Sequence, residues 1–219
     1  MLHGFYAILD LSPHLVLGGA SAIERAARNL LAAKPCVLQL RAKSATAAEM
    51  LAVAEQVAPL CQEAEVPFCV NDRLDVAMAV GADAVHLGQD DLPLGAARAV
   101  LKRQGFPMRI GVSTHDRAQA RRAASEGADY IGFGPVFPTQ SKLNPDPVVG
   151  LEALRAVVQE VTVPVVAIGG ITLASLTSVV ASGAAAAAVI SAVSAHSDPR
   201  WAGQQVQAAF GVQPKRPVM

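Results

Sequence analysis

Residues 81–89 read GADAVHLGQ, residues 127–135 read GADYIGFGP and residues 183–191 read GAAAAAVIS, three related segments in one chain of 219 residues. Each opens on Gly-Ala and passes into an apolar, strand-like stretch, with the glycine where a preceding helix must stop. Working outward, eight such runs are found: FYAILD (5–10), CVLQLR (36–41), PFCVN (67–71), AVHLG (84–88), RIGVS (109–113), DYIGFG (129–134), PVVAIG (164–169) and AAVIS (187–191). Helical patterns lie between them, clearest at 20–34, 46–65, 94–104, 116–126, 150–160 and 172–182, with a short one at 74–80. Alternating strand and helix predicts βαβ units and a parallel sheet. The three related segments fall on the fourth, sixth and eighth runs. A barrel layer draws its inward side chains from alternate strands, so this recurrence favours a single (β/α)8 TIM barrel over the doubly wound sheet, the other α/β arrangement. No linker or composition shift divides the chain. It reads as one domain, 1–219, with the barrel core at about 5–195 and a C-terminal helix and tail at 196–219.

Composition narrows the function classes. Hydrophobic residues make up 52% and charged ones 16%, a balance that excludes disorder and implies a large dry core. Eighteen Lys+Arg offset 18 Asp+Glu, leaving no global field for nucleic acid or an anionic membrane, so any anion site is local. With 1 Trp, 2 Tyr and 6 Phe, stacking platforms for bases are few. Cys36, Cys61 and Cys69 form no closed disulfide set and no C-x-x-C pair, which points to a reducing, cytoplasmic setting with free thiols acting as small hydrophobes. The apolar N-terminus lacks a basic segment and is interrupted by Asp10 and Pro13, unlike a signal peptide. No window has the ~18 uninterrupted apolar residues of a membrane span. A homo-oligomer is compatible with the sequence.

In a barrel of this kind, polar groups at the C-terminal ends of strands face the active site. The second run ends in Gln39, Arg41 and Lys43, which share one face of an extended segment. The third ends in Asn71-Asp72-Arg73, the fourth in Gln89-Asp90-Asp91 and the fifth in Ser113-Thr114-His115. Any one of these reads equally well as a solvated loop; four in succession do not. Asp72 and Asp91 on neighbouring ends suit a hard cation that keeps waters and shares phosphate oxygens, which describes Mg2+. Arg41 as a fork and Lys43 as a point charge suit diphosphate. A long loop from Gly134 to Gly150 carries Thr139, Ser141 and Lys142 and can serve as a lid. Gly169-Gly170 and Ile190-Ser191 open helices after the last two strands, where barrels frequently bind phosphate on backbone amides. His115 is read equally as a base and as a structural residue, and His86 as a residue of the barrel interior.

The segments QLRAK (39–43), VNDRLDVAMAVGADAVHLGQDDLP (70–93), IGVSTH (110–115), GADYIGFGPVFPTQSK (127–142), VPVVAIGGI (163–171) and VISAVS (189–194) closely resemble, in this order, the thiamine-phosphate synthase family. The resemblance runs from about Phe5 to Ser194. It implies a transferase that couples hydroxymethylpyrimidine diphosphate to hydroxyethylthiazole phosphate, releasing diphosphate. It maps Gln39, Arg41, Lys43 and Asn71 onto the pyrimidine diphosphate and Asp72 and Asp91 onto Mg2+. Ser113 and Lys142 map onto the departing diphosphate, and with Arg41 form the implied catalytic set. Thr139, Ser141, Gly170, Ile190 and Ser191 map onto the thiazole phosphate, and Gly169 joins them by its place in the same glycine pair after the seventh strand. The implied mechanism is dissociative, with diphosphate leaving before the thiazole nitrogen attacks.

Three departures stand out. Ala42 replaces a usual acid, Ala185 and Ala186 replace the Asp and Gly of the usual GADG, and residues 143–149 align poorly. The rivals are a thiazole tautomerase-like barrel, from which Asp91 argues away, and a non-catalytic phosphate-binding barrel, which has no need of a leaving-group site.

Overall fold

The computed structural model describes residues 2–11, 18–139 and 146–211. Eight parallel strands close into a barrel in chain order, with β1 paired to both β2 and β8. They are β1 (Gly4–Asp10), β2 (Val37–Arg41), β3 (Phe68–Asn71), β4 (Ala84–Leu87), β5 (Arg109–Thr114), β6 (Tyr130–Phe133), β7 (Val165–Ile168) and β8 (Ala186–Val189). The helices are α1 (Gly19–Leu31), α2 (Ala47–Ala64), α3 (Leu74–Ala79), α4 (Leu94–Gln104), α5 (Arg117–Ser125), α6 (Gly150–Glu160), α7 (Leu176–Ala181), α8 (Ser191–Ser194) and α9 (Pro199–Gly211). Each of the eight apolar runs is a strand.

Local chemistry explains the helix boundaries. Thr46 accepts a hydrogen bond from the Glu49 amide while Glu49 accepts one from the Thr46 amide, starting α2 with a reciprocal cap. Asp116 accepts from the Gln119 amide to start α5. Two expected boundaries move. The helix expected over 172–182 begins as a 3-10 turn, Leu173–Ser175, because Thr172 and Ser175 bond each other reciprocally across three residues and close a tighter turn. The strand expected to reach Ser191 ends at Val189, where Ile190 turns the chain and its carbonyl accepts from the Ser194 amide at 2.8 Å.

Alternation along the strands separates two apolar layers. Phe5, Ala7, Leu9, Leu38, Leu40, Val70, Val85, Ile110, Ile131, Phe133 and Ala167 point outward and pack beneath the helices. Tyr6, Ile8, Val37, Cys69, Ala84, Tyr130, Val166, Ala186 and Ala188 fill the barrel itself. Ala186 is therefore an interior residue of β8 rather than part of the loop before it, and its methyl group is wholly buried.

The repeated Gly-Ala-Asp has a defined task at the N-terminal rim. Asp83 accepts from the Phe68 amide at 2.8 Å, and Asp129 accepts from the Ile110 amide at 2.7 Å. Both amides lie at the starts of odd-numbered strands, each one place below the ladder pairs Cys69 with Ala84 and Gly111 with Tyr130. Phe5 holds the same place on β1, and its amide donates to Gln207 Oε1 of α9 at 2.8 Å. Val165 holds it on β7, opposite Ala185, whose side chain has no acceptor.

Candidate active site

The interior parity carries on to the C-terminal rim, so Gln39, Arg41, Asn71, His86 and Ser113 occupy inward positions of four adjacent strands. Asp10 and Arg41 are ladder partners on β1 and β2, and Arg41 Nη1 donates to Asp10 Oδ1 at 2.6 Å. Arg41 is thereby anchored by one nitrogen and keeps further donors of its guanidinium for a ligand. Asp10 was read in the sequence only as a break in an apolar stretch; its position ending the first strand was the available signal. Gln39 is buried and donates to Cys69 Sγ at 3.9 Å. Asn71 is also buried, at the end of β3.

Asp72 takes a left-handed backbone, φ 65°, and its amide donates to the His86 carbonyl at 2.7 Å. Lys43 Nζ lies 2.6 Å from Asp72 Oδ2. The lysine side chain is 51% exposed, and at such a site an ion pair contributes only about 0–1 kcal/mol, so Lys43 can exchange this partner for an incoming anion. Arg73 turns instead to Asp75 of α3, leaving the rim. Asp91 Oδ2 accepts from the Gly88 amide at 2.6 Å in a tight turn at the end of β4. A Cβ on Gly88 would approach that oxygen to 2.9 Å, so a side chain there would push the Asp91 carboxylate aside.

Asp72 and Asp91 meet, as expected from neighbouring strand ends. Desolvation first, then the hydrogen bond with Asp72, hold the Asp91 carboxyl above the usual aspartate range. Two carboxylates in contact repel when both are ionised, and a divalent cation removes that repulsion. Among the described residues no group of three or more His, Cys, Asp or Glu is arranged to hold a metal. An all-oxygen pair that leaves most coordination positions to water and phosphate fits Mg2+ and does not fit zinc.

Ser113 is half-buried near the end of β5, its Oγ 2.9 Å from His86 Nε2. His86 is a barrel-interior residue, as read from the sequence, and burial pushes its imidazole down to about 4, so the ring is neutral near pH 7. Its Nδ1 lies 3.2 Å from the Tyr130 hydroxyl. Tyr130 reaches it because the facing residue on β5 is Gly111, where a Cβ would come within 2.1 Å of the tyrosine ring. The sequence reading missed Tyr6 and Tyr130 altogether, since both look like ordinary core aromatics. Cys69 is more than the small hydrophobe expected, for it accepts from Tyr6 Oη at 3.6 Å.

His115 is occupied at both ring nitrogens, Nδ1 with the Gly134 carbonyl at 2.7 Å and Nε2 with Asp146 at 3.6 Å. It ties the two ends of the long loop together, which favours the structural side of its reading. Ser141 and Lys142 lie outside the described residues, and Thr139 is half-buried at the edge of the gap. The first part of the loop is tied to β7: the Val136 amide donates to the Ile168 carbonyl at 2.9 Å and the Phe137 amide to the Gly169 carbonyl at 3.0 Å. Any lid motion in this half would have to break those bonds.

Gly169 and Gly170 have φ of 92° and 65°. Their glycines are required by this loop: a Cβ would lie 2.5 Å from Pro135 at Gly169 and 2.4 Å from the Pro138 carbonyl at Gly170. A side chain at position 170 would thus strike the backbone of the loop after β6 before it met any ligand. Ile190 is half-buried and Ser191 exposed at the start of α8. After β7 a 3-residue turn runs into the six-residue α7, and after β8 comes a 4-residue helix, so an anion held there would rest chiefly on the amide donors of these first turns.

Residues 5–193 match the sequence profile described as thiamine monophosphate synthase. A protein of Chlorobium phaeovibrioides named thiamine-phosphate synthase is 48% identical over 178 residues, covering 81% of this chain and 84% of that protein. One of Methanospirillum hungatei with the same name is 45% identical over 190 residues, covering 87% of this chain and 89% of its own. The solved structure of thiamine phosphate pyrophosphorylase from Pyrococcus furiosus superimposes with a TM-score of 0.82 at 35% identity, covering 95% of each chain. Fold and relatives agree, and the chain belongs to the thiamine monophosphate synthase family.

Proposed function

We propose that this chain joins a hydroxymethylpyrimidine diphosphate to a hydroxyethylthiazole phosphate, giving thiamine phosphate and diphosphate. The observation that carries the reading is the cluster at one rim of the barrel: Lys43 on Asp72, Asp72 against Asp91, and Ser113 on the next strand, bonded to His86. Two acids, a releasable ammonium and a hydroxyl form a site for a metal-bound leaving diphosphate, and family membership supplies the matching reaction.

Asp72 and Asp91 would hold Mg2+, which when bound offsets negative charge on the diphosphate. Gln39 and Asn71, buried where the strands end, are assigned to the pyrimidine portion. Arg41, Lys43 and Ser113 are assigned to diphosphate oxygens as donors, and Lys142 is assigned with them from its sequence position alone. Donors aimed at the leaving oxygens favour charge developing there in the transition state, so the carbon–oxygen bond breaks with the positive charge delocalised into the pyrimidine. The thiazole nitrogen then supplies the electron pair for the new carbon–nitrogen bond. No protein nucleophile is needed, consistent with thiols that burial holds at about 11 for Cys36, 12 for Cys61 and 11 for Cys69. The amides at Gly169, Gly170, Ile190 and Ser191, with Thr139 and Ser141, are assigned to the thiazole phosphate.

The test is to mix both phosphorylated substrates with the protein and Mg2+ and to follow thiamine phosphate. Formation of thiamine phosphate only with all three present is the expected result. Magnesium-dependent binding of the pyrimidine diphosphate separates this reading from a tautomerase or a silent phosphate-binding barrel, neither of which needs it.

A further inference from the structure

Beneath the proposed diphosphate site runs a continuous chain of hydrogen bonds that the reaction as described does not use. Tyr6 Oη and Tyr130 Oη are 2.8 Å apart, Tyr130 Oη is 3.2 Å from His86 Nδ1, and His86 Nε2 is 2.9 Å from Ser113 Oγ. Each member comes from a different strand, β1, β6, β4 and β5. Two glycines make the chain possible. A Cβ at Gly111 would come within 2.5 Å of Tyr130 Oη, and one at Gly132 within 3.3 Å of His86 Cε1.

A neutral imidazole carries one proton, so its two nitrogens play opposite parts and the chain has a direction. In one direction Ser113 donates its only proton to Nε2, Nδ1–H donates to Tyr130, and Tyr130 donates to Tyr6, which donates to Cys69. Ser113 then presents lone pairs to the rim, and these repel an anion. In the other direction Tyr6 donates to Tyr130, Tyr130 donates to Nδ1, and Nε2–H donates to Ser113 Oγ. The serine proton is then free for an oxygen above it. Both directions satisfy the buried groups, so the charge of the molecule at the rim decides between them.

We propose that His86 is a positioning residue: with diphosphate at the rim its imidazole is the Nε2–H tautomer, held by the Tyr130 hydroxyl, and it fixes Ser113 with the proton turned to the anion. This rests on the reading of Ser113 as a diphosphate contact. The consequence is that two tyrosines buried in the barrel interior help to set the strength of leaving-group binding.

The experiment uses the full chain with 15N-labelled histidine, inorganic diphosphate and Mg2+, with His86 assigned by its loss in His86→Gln. Two-bond nitrogen–proton correlations distinguish the tautomers. In the bound state His86 is expected as Nε2–H. Tyr130→Phe removes the donor to Nδ1 and is expected to weaken diphosphate binding roughly twofold to tenfold, the range for one net hydrogen bond. Ser113→Ala in that background should then add less than it does alone, because the two side chains act through one bond chain. A merely structural role for Tyr130 would lower the unfolding temperature and leave both the tautomer and the additivity untouched, overturning the proposal. Diphosphate binding indifferent to Ser113→Ala would overturn the site reading and this inference with it. Ser113-dependent binding with His86 as Nδ1–H would overturn this inference alone.

Discussion

Introducing the missing acid, Ala185→Asp, should stabilise the protein. Asp83 and Asp129 each cap an amide at the start of the preceding odd strand, Phe68 at 2.8 Å and Ile110 at 2.7 Å, and Gln207 does the same for Phe5. Ala185 stands in register with Val165 just as Asp83 does with Phe68, and the Ala185 amide donates to the Val165 carbonyl at 2.9 Å, as the Asp83 amide does to Phe68. The backbone is therefore already in the geometry that aims a carboxylate at the Val165 amide. One net hydrogen bond contributes about 0.5–1.5 kcal/mol. For a domain of this size 1 kcal/mol corresponds to roughly 2–4 °C in unfolding temperature, so a gain of about 3 °C is expected. The converse substitution Asp83→Ala should lose at least as much, since Phe68 is buried and its amide would be left without that acceptor. Asp129→Ala should lose more, because Asp129 also accepts from Arg98 at 2.7 Å. Calorimetry or denaturant titration of the three variants measures this. A destabilised or unchanged Ala185→Asp together with an unchanged Asp83→Ala would refute the view that these acids serve as strand caps.

Asp91→Asn should cut turnover by orders of magnitude with the unfolding temperature preserved, and wild-type Mg2+ affinity should fall on acidification at a higher pH than for an ordinary aspartate, because its carboxyl is held above the usual range. Gly170→Val should abolish thiazole phosphate binding and also destabilise the fold by about 1–3 kcal/mol, since it strains a φ of 65° and drives the Pro138 carbonyl away; magnesium-dependent pyrimidine diphosphate binding should survive, as calorimetry with each substrate can check. All three thiols should resist an aromatic disulfide reagent at pH 8 in the native protein and react on unfolding, because burial raises each to about 11 or 12.

The order of strands and the polar residues at their ends were legible in the sequence because both depend on local pattern. A parallel strand buried on both faces is an unbroken run of Val, Ile, Leu and Ala, and a loop that faces the site must begin where that run stops. The (β/α)8 reading followed from eight such runs, and the pairing of Asp72 with Asp91 from their sitting on consecutive ends. What the pattern cannot carry is which side chains meet across the barrel. Asp10 joins Arg41 only because β1 and β2 stand in a register that puts them side by side. Tyr130 reaches His86 only because Gly111, on the strand between, has no side chain to stop it. Gly170 was assigned to a phosphate by its place after β7, whereas its contact with the Phe137 and Pro138 carbonyls arises from a loop on the neighbouring strand. Local periodicity tells each residue which way to face; closure of the sheet brings together residues more than a hundred positions apart, and that closure alone decides what each one touches.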